Sequence, residues 1–104
     1  MSRAPEPRFD EIIHAPVRLR ICGLLRRVDQ LEFGLVRQTL DVSAPTLSKH
    51  LRTLTEAGYV RLTKSPDATR ADARLLTWIH LTPCGTAALD AHLAALREIV
   101  GTEH

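Results

Sequence analysis

The segment from Ser43 to Gly58 carries polar and cationic side chains at intervals that place them on one face of a helix. At about 100° per residue, Thr46, Lys49 and Arg52 fall on the side opposite the leucines of the same segment. An arginine can donate two hydrogen bonds to a guanine edge or to a phosphate, and a lysine can bind either as a point charge. The chemistry predicted here is therefore recognition of a DNA major groove.

The same segment has the signals of a helix with defined ends. Ser43 can act as the N-cap by accepting a backbone hydrogen bond, and Pro45 falls in the first turn, where a missing N–H costs little. Leucines recur behind the polar face at spacings of four and three, and Gly58 can end the helix in the left-handed conformation. We predict a recognition helix over residues 43–58.

A hairpin is predicted directly after this helix. Residues 60–63 alternate apolar and polar side chains, as a half-buried strand does, and residues 75–81 alternate again. Residues 65–72 between them are rich in turn-forming types. Residues 59–81 should therefore form a wing with an arginine-bearing tip.

The remaining elements are predicted as amphipathic helices. They span residues 9–13, 17–28, 31–40 and 82–100. The residues expected to face the core in the first and third of these are Phe9, Ile12, Ile13, Leu35, Val36 and Leu40. The predicted fold is mainly α with a small β-hairpin, in the order helix, helix, helix, recognition helix, hairpin, helix.

The pattern Ser-x-x-Thr-Leu-Ser-Lys-His-Leu-x-x-Leu-x-x-Ala-Gly-Tyr-Val at residues 43–60 resembles short bacterial winged helix-turn-helix regulators related to MarR and ArsR. Residues 13–21 resemble their opening helices, and residues 77–85 resemble their second wing strand and the turn into the last helix. The resemblance covers residues 9–100 and implies a winged helix-turn-helix fold and DNA binding. These regulators usually have glycine near Asp41, and aspartate adopts left-handed geometry less readily.

The residues expected to contact DNA lie on the recognition helix and the wing. Arg70 at the wing tip could enter a minor groove, and a charged His50 would bind phosphate more strongly at lower pH. The full set on the helix and wing is Ser43, Pro45, Thr46, Ser48, Lys49, His50, Arg52, Thr53, Arg61, Lys64, Arg70 and Arg74.

The distribution of charge is consistent with this set. The net charge of the 104-residue chain is only +2, but basic residues outnumber acidic ones between residues 43 and 74. A phosphate backbone requires such a local surplus, although an ordinary solvated face would have the same composition.

We expect a homodimer, because one recognition helix covers only a few base pairs and specificity needs two half-sites. The dimer would bind a pseudo-palindromic operator and repress transcription by occlusion. The first helix and the last would form the interface, with Phe9, Ile12, Ile13, Leu89, Leu93, Leu96 and Val100 as its residues. The alternative is a winged helix whose recognition helix and hairpin bind another protein. A chain of this length has no room for a separate effector domain, so any small-molecule effector would bind in a crevice or between subunits.

Two cysteines do not make a disulfide framework. Cys84 falls at the second position of the last helix, where the helix dipole favours a thiolate, so it is either a redox sensor or an inert thiol. Asp90, His92, Glu103 and His104 resemble the acidic and histidine ligands of ArsR-type metal sensors, but the second half of that pattern falls at the chain end in the wrong register, and the cysteine-rich loop is missing. We therefore expect no metal and no cofactor.

No constellation of catalytic residues is apparent, so we do not expect an enzyme. No signal peptide or membrane span is apparent either, which favours the cytoplasm. Residues 1–8 contain two prolines and two arginines with almost no apolar content, and are expected to form a loose arm before a single DNA-binding domain at residues 9–104.

Overall fold

A computed structural model describes residues 4–67, 69 and 74–101, which form five helices and one three-stranded antiparallel sheet. This architecture confirms the predicted winged helix. In chain order the elements are α1 Glu11–His14, α2 Pro16–Leu25, β1 Leu31–Glu32, α3 Phe33–Leu40, α4 Ala44–Glu56, β2 Val60–Pro66, β3 Leu75–Leu81 and α5 Pro83–Val100. None of the helices in these ranges has both the length and the apolar character needed to span a membrane.

The sheet has the strand order β1-β3-β2, so the second strand of the hairpin lies in its centre. Strand β1 was not predicted, and the helix expected from Leu31 begins only at Phe33. Leu31 pairs with Ile79, a partner distant in sequence that no local pattern could indicate. Glu32 then caps α3 by accepting a hydrogen bond from the Gly34 N–H.

The hairpin is longer than its sequence pattern predicts. Ser65 and Pro66, expected in the turn, continue β2 and pair with Leu76 and Leu75. Burial along β3 also departs from simple alternation, because Leu76 is buried while Leu75 is 61% exposed. Strand β3 packs against α3 at this end, which accounts for the burial of Leu76.

The buried members of one hydrophobic cluster come from all five helices and from β2 and β3, and Leu31 of β1 packs against it. Its α4 members, Leu47, Leu51 and Leu54, are at most 1% exposed, which confirms the leucine stripe of the recognition helix. The other members are Ile13, Ile21, Cys22, Leu25, Val36, Leu40, Val60, Ile79 and Leu89.

Two residues expected in the core lie on the surface. Phe9 is 43% exposed and precedes α1, because Asp10 caps that helix by accepting hydrogen bonds from the backbone of Ile12 and Ile13. Leu35 is 51% exposed, because the short helix α3 turns Val36 and Leu40 toward the core instead.

Two tight junctions orient the elements around α4. Asp41 has a φ of 55°, so this aspartate supplies the left-handed turn for which related regulators use glycine. Gly58 ends the α4–β2 connection with a φ of 81°. The path of the chain into and out of the recognition helix is thus determined by two left-handed residues.

The start of α5 is pressed against the start of β2. The Thr82 N–H donates to the Tyr59 carbonyl at 3.0 Å, and the Thr82 hydroxyl donates to the Gly58 carbonyl at 2.7 Å. A Cβ at Gly85 would lie 2.1 Å from the Tyr59 carbonyl oxygen. Only glycine permits this approach of helix to strand.

Candidate nucleic-acid interface

The first turn of α4 is held by a local hydroxyl network. Ser43 accepts a hydrogen bond from the Thr46 N–H at 3.2 Å and donates to the Thr46 hydroxyl at 2.9 Å. Pro45 is exposed in the same turn. The helix start thus presents its small polar side chains in a fixed arrangement, as predicted from the N-cap signal.

The solvent-facing side of α4 carries exposed cations. We call the exposed residues Thr46, Ser48, Lys49 and Arg52 the recognition face. Within residues 4–67, 69 and 74–101, Lys49 and Arg52 form no ion pair. Because the buried leucines hold the opposite side of the helix, these cations keep their hydrogen-bonding capacity for an external partner.

Two predicted contact residues on α4 bond within the protein instead. Thr53 is half-buried and its hydroxyl donates to the Lys49 carbonyl at 3.3 Å. His50 is half-buried and its Nδ1 accepts from Arg18 at 3.1 Å. Burial, followed by the charges of Arg18 and Lys49, lowers the pKa of His50, which opposes the expected charging of this residue on mild acidification.

The described part of the wing presents exposed cations on two faces. Arg61 and Lys64 are both exposed on β2, but strand alternation places them on opposite sides of the hairpin. Arg74 is exposed just before β3. Arg70, predicted for the minor groove, lies outside the described residues.

A groove of about 620 Å³ opens between α4 and the hairpin. Arg52 from the helix and Lys64 from β2 both line it, together with the apolar side chains of Phe33, Leu51 and Leu62. The fold therefore brings together one cation from the recognition face and one from the wing. Sequence reasoning assigned both residues to DNA contact but did not predict the groove, because its walls come from four separate elements, α3, α4, β2 and β3.

The residues predicted for a dimer interface differ in their exposure within the single chain. Ile13 and Leu89 are at most 1% exposed within the single chain, so they have no surface to offer a second subunit. Phe9 and Val100 are exposed, while Ile12, Leu93 and Leu96 are half-buried. Ile99, which the apolar stripe of α5 did not include, is 67% exposed.

Sequence reasoning missed a polar cluster where α1 meets α5. Tyr59 donates a hydrogen bond to Asp10, and the Asp10 N–H donates to Nδ1 of His92 at 2.9 Å. The hydrogen bond to Asp10 raises the pKa of Tyr59 to about 12. His14 Nδ1 lies 3.2 Å from His92 Nε2. The one local signal for this cluster was Asp10, an N-cap residue of α1. The other members are far apart in sequence and meet only in the folded chain.

Cys84 is exposed and Cys22 is buried. Burial raises the pKa of Cys22 to about 11, so this thiol is inert near neutral pH. Cys84 lines a cleft of about 300 Å³ with Asp10 and Tyr59.

Of the four residues that resemble metal ligands, Asp90 and His92 are already engaged, and Glu103 and His104 lie outside the described residues. Asp90 forms an ion pair with Arg26 at 2.8 Å, and His92 is bonded within the α1–α5 cluster. Among the described residues, no three side chains of His, Cys, Asp or Glu are grouped to hold a metal ion.

Comparison with known proteins agrees with this architecture. An uncharacterized protein of Methanocaldococcus jannaschii is 27% identical over 89 residues, which cover 86% of this chain and 92% of that protein. The transcriptional regulator homologue protein from Pyrococcus horikoshii superposes with a TM-score of 0.78 at 25% identity, covering 89% of this chain and 88% of that one.

A transcriptional regulator of the MarR family from Enterococcus faecalis shares the fold, with a TM-score of 0.70 at 23% identity, and 88% of this chain and 77% of that chain are covered. Residues 17–100 match the family described as the winged helix DNA-binding domain. Since that match spans most of the sequence, the chain belongs to the winged helix DNA-binding domain family, and its fold is that of MarR-like transcriptional regulators.

Proposed function

We propose that this protein is a sequence-specific DNA-binding regulator that acts as a homodimeric repressor. The observation that carries the proposal is the recognition face, where exposed cations without ion pairs in the described ranges stand over a fully buried leucine stripe. A helix built this way can enter a major groove without disturbing the core.

Arg52 is the residue assigned to base or phosphate recognition. Its guanidinium can bond a guanine edge in two places, whereas Lys49 acts as a point charge. Lys64, across the groove from Arg52, is positioned to bind a flanking phosphate. Thr46 and Pro45 occupy the helix start, where base edges are met in helix-turn-helix proteins.

The proposed dimer uses the apolar surface that the single chain leaves exposed. Phe9, Ile99 and Val100 are 43%, 67% and 67% exposed and belong to the segment before α1 and to the end of α5. A twofold axis through this surface would give two recognition helices for a pseudo-palindromic operator, with half-sites about one helical turn apart. With α5 as the dimerisation helix, residues 9–104 act as one DNA-binding domain, and any small-molecule effector would bind in a crevice or between subunits.

The test is selection of binding sites from random duplex DNA by the purified protein. We expect a palindrome to be enriched by the natural protein and by Arg27→Ala, which removes an exposed arginine just after α2. Arg52→Ala should fail to enrich it. Enrichment of a single half-site would contradict the dimer, and equal enrichment by Arg52→Ala would contradict the role of the recognition face.

The alternative, a winged helix that binds another protein, predicts a different response to salt. Phosphate contacts release counterions, so DNA affinity should fall steeply as salt rises from 50 to 200 mM, by about a factor of ten for each two phosphates contacted. Affinity that is flat across that range, with no selected sequence, would favour the protein-binding function.

A further inference from the structure

The chain segment before α1 is attached to α5 through two hydrogen bonds that its backbone N–H groups donate. The Arg8 N–H donates to the Ala91 carbonyl at 3.0 Å, and the Asp10 N–H donates to the His92 imidazole at 2.9 Å. The ring of Phe9, between these two residues, lies 4.8 Å from the His92 ring. His92 is 0% exposed, so the second bond is shielded from water.

This geometry determines where the protons of both imidazoles lie. Because the Asp10 N–H donates to Nδ1 of His92, that nitrogen must be unprotonated. Neutral His92 therefore carries its proton on Nε2 and donates it to Nδ1 of His14, 3.2 Å away. Nδ1 of His14 must also be unprotonated in order to accept this hydrogen bond.

One added proton on either ring breaks a bond of this chain. A proton on Nδ1 of His92 would point at the Asp10 N–H, and a proton on Nδ1 of His14 would point at the N–H of His92. For His92 the bond that requires the neutral ring is the one at Nδ1, because both nitrogens of a charged imidazole carry protons and neither can accept.

We propose that His14 and His92 form a proton-operated latch. It holds residues 4–10 on α5 while both imidazoles are neutral and releases them when either one is protonated.

The charged and titratable groups around the latch favour its closed state at neutral pH. Burial and the charge of His14 lower the pKa of His92, and the carboxylate of Asp10 opposes them more weakly. His14 is exposed, whereas His92 is buried.

Among the described residues, the other titratable or charged groups near the latch lie in the segment before α1, on α2, on α4 and just before β2. Tyr59 just before β2 and Cys22 of α2 have pKa values raised to about 12 and about 11, so both stay neutral. Arg8 of the segment before α1 and Arg18 of α2 are the nearby cations. His50 of α4 contacts Arg18 and has its pKa lowered by burial.

The test is amide hydrogen exchange by NMR, expressed as protection factors to remove the intrinsic effect of pH. A released imidazole has a pKa near 6.5, so each titrating ring should raise the population of the open state about tenfold by pH 5.5, and two rings about a hundredfold. We expect the protection of the Arg8 and Asp10 amides to fall by up to about a hundredfold between pH 7.5 and 5.5. Nitrogen-15 spectra should show His92 as the Nε2–H tautomer at pH 7.5.

Two variants separate the latch from a general effect of acid. His14→Gln leaves one titrating ring and should reduce the fall in protection to about tenfold, whereas the double variant His14→Gln/His92→Gln leaves none and should remove it. His80→Gln is the matched control, because His80 contacts Thr63 in the hairpin, and it should keep the change.

Protection that is independent of pH in the natural protein, or a fall of the same size in the double variant, would overturn the latch. Measurements at two protein concentrations tenfold apart distinguish it from subunit dissociation, since the latch lies within one chain. An influence of the latch on DNA affinity rests on the proposed dimer, whereas this exchange experiment does not.

Discussion

The recognition face and the α1–α5 cluster use polar side chains in opposite ways. On the recognition face, Lys49 and Arg52 are exposed and form no ion pair in the described ranges. In the cluster, Asp10, His92 and Tyr59 are bonded to one another across the fold. Groups without internal partners are available to a ligand, whereas bonded groups specify the geometry of the protein. Changes at the first region should therefore alter binding, and changes at the second should alter folding.

The largest effect on stability is expected from Asp10→Ala. This change removes the cap of α1 and leaves the Tyr59 hydroxyl without its acceptor, so the free energy of unfolding should fall by about 2–3 kcal/mol. Chemical denaturation measures it. Ser43→Ala removes the cap of α4, whose bonds are local to the first turn, and should cost about 1 kcal/mol. If Asp10→Ala and Ser43→Ala lowered the free energy of unfolding equally, the α1–α5 cluster would not contribute more to stability than the recognition helix cap.

Arg52→Ala should have the largest effect on DNA binding. Loss of a bidentate contact costs about 1–3 kcal/mol, which lowers affinity by roughly 10- to 100-fold on the selected site. Because Arg52 is exposed and forms no ion pair in the described residues, the free energy of unfolding should change by less than about 0.5 kcal/mol. Fluorescence anisotropy and denaturation of the same sample measure both quantities, with Arg27→Ala as the control that changes neither.

Gly85→Ala tests the junction between α5 and β2. Its new methyl group would lie 2.1 Å from the Tyr59 carbonyl oxygen, so the helix must shift, and we expect about 1–3 kcal/mol of destabilisation. Gly23→Ala is the matched change, because nothing lies within 4 Å of that position in α2. It should stabilise the protein by about 0.5–1 kcal/mol through its helix propensity. Thermal unfolding of both variants measures these changes. If the midpoint of Gly85→Ala rose as that of Gly23→Ala is expected to, the junction would have room for a methyl group.

Acid should weaken the fold through His92. The pKa of His92 is below its ordinary value of 6.5 in the folded protein, because burial disfavours the charged ring. The unfolded chain therefore binds the proton first, and the stabilisation present above pH 6.5 is lost as the pH falls toward the folded-state pKa. The expected slope is about 1.4 kcal/mol per pH unit at most. Denaturation across pH 5–8 measures it, and His92→Gln should reduce the slope while His80→Gln should not.

The smallest effect is expected from modification of the cysteines. Cys84 is exposed and should react fully with a thiol reagent in the native state, whereas Cys22 should react only on unfolding because burial raises its pKa to about 11. Mass spectrometry before and after denaturation counts the labels. If Cys84 is a redox sensor, peroxide should release DNA from the natural protein and not from Cys84→Ser; release from both would remove that role.

The recognition helix and the wing were predictable because their signals are local. Ser43, Pro45 and the leucine stripe lie within one helix, and each imposes a direct restriction on backbone or burial. The turn before this helix is left-handed at Asp41, although aspartate adopts that geometry less readily than the glycine usual in the regulators that the sequence resembles. The elements that the sequence predicts correctly are therefore those whose signals lie within the element itself.

The remainder depended on contacts between distant residues. Leu31 becomes a strand residue only because Ile79 is beside it, and His92 receives its hydrogen bond from Asp10, 82 residues away. His50 faces the α4–α2 junction because Arg18 reaches it there, not because of its position on the helix. Periodicity places a residue on a face, but the partner that occupies that face is set by tertiary packing.

The close approach of Gly85 to Tyr59 couples the position of α5 to that of the wing. The helix has 18 residues and is about 27 Å long at 1.5 Å per residue; its first turn contacts Tyr59, its middle bonds to Arg26 and Asp10, and Val100 near its end is 67% exposed. A tilt of about 5° at the end that contacts Tyr59 moves the far end by about 2 Å on that length. We therefore expect that a small tilt of the wing would move a second molecule bound at the far end of α5. Binding there would in turn change the angle of the wing.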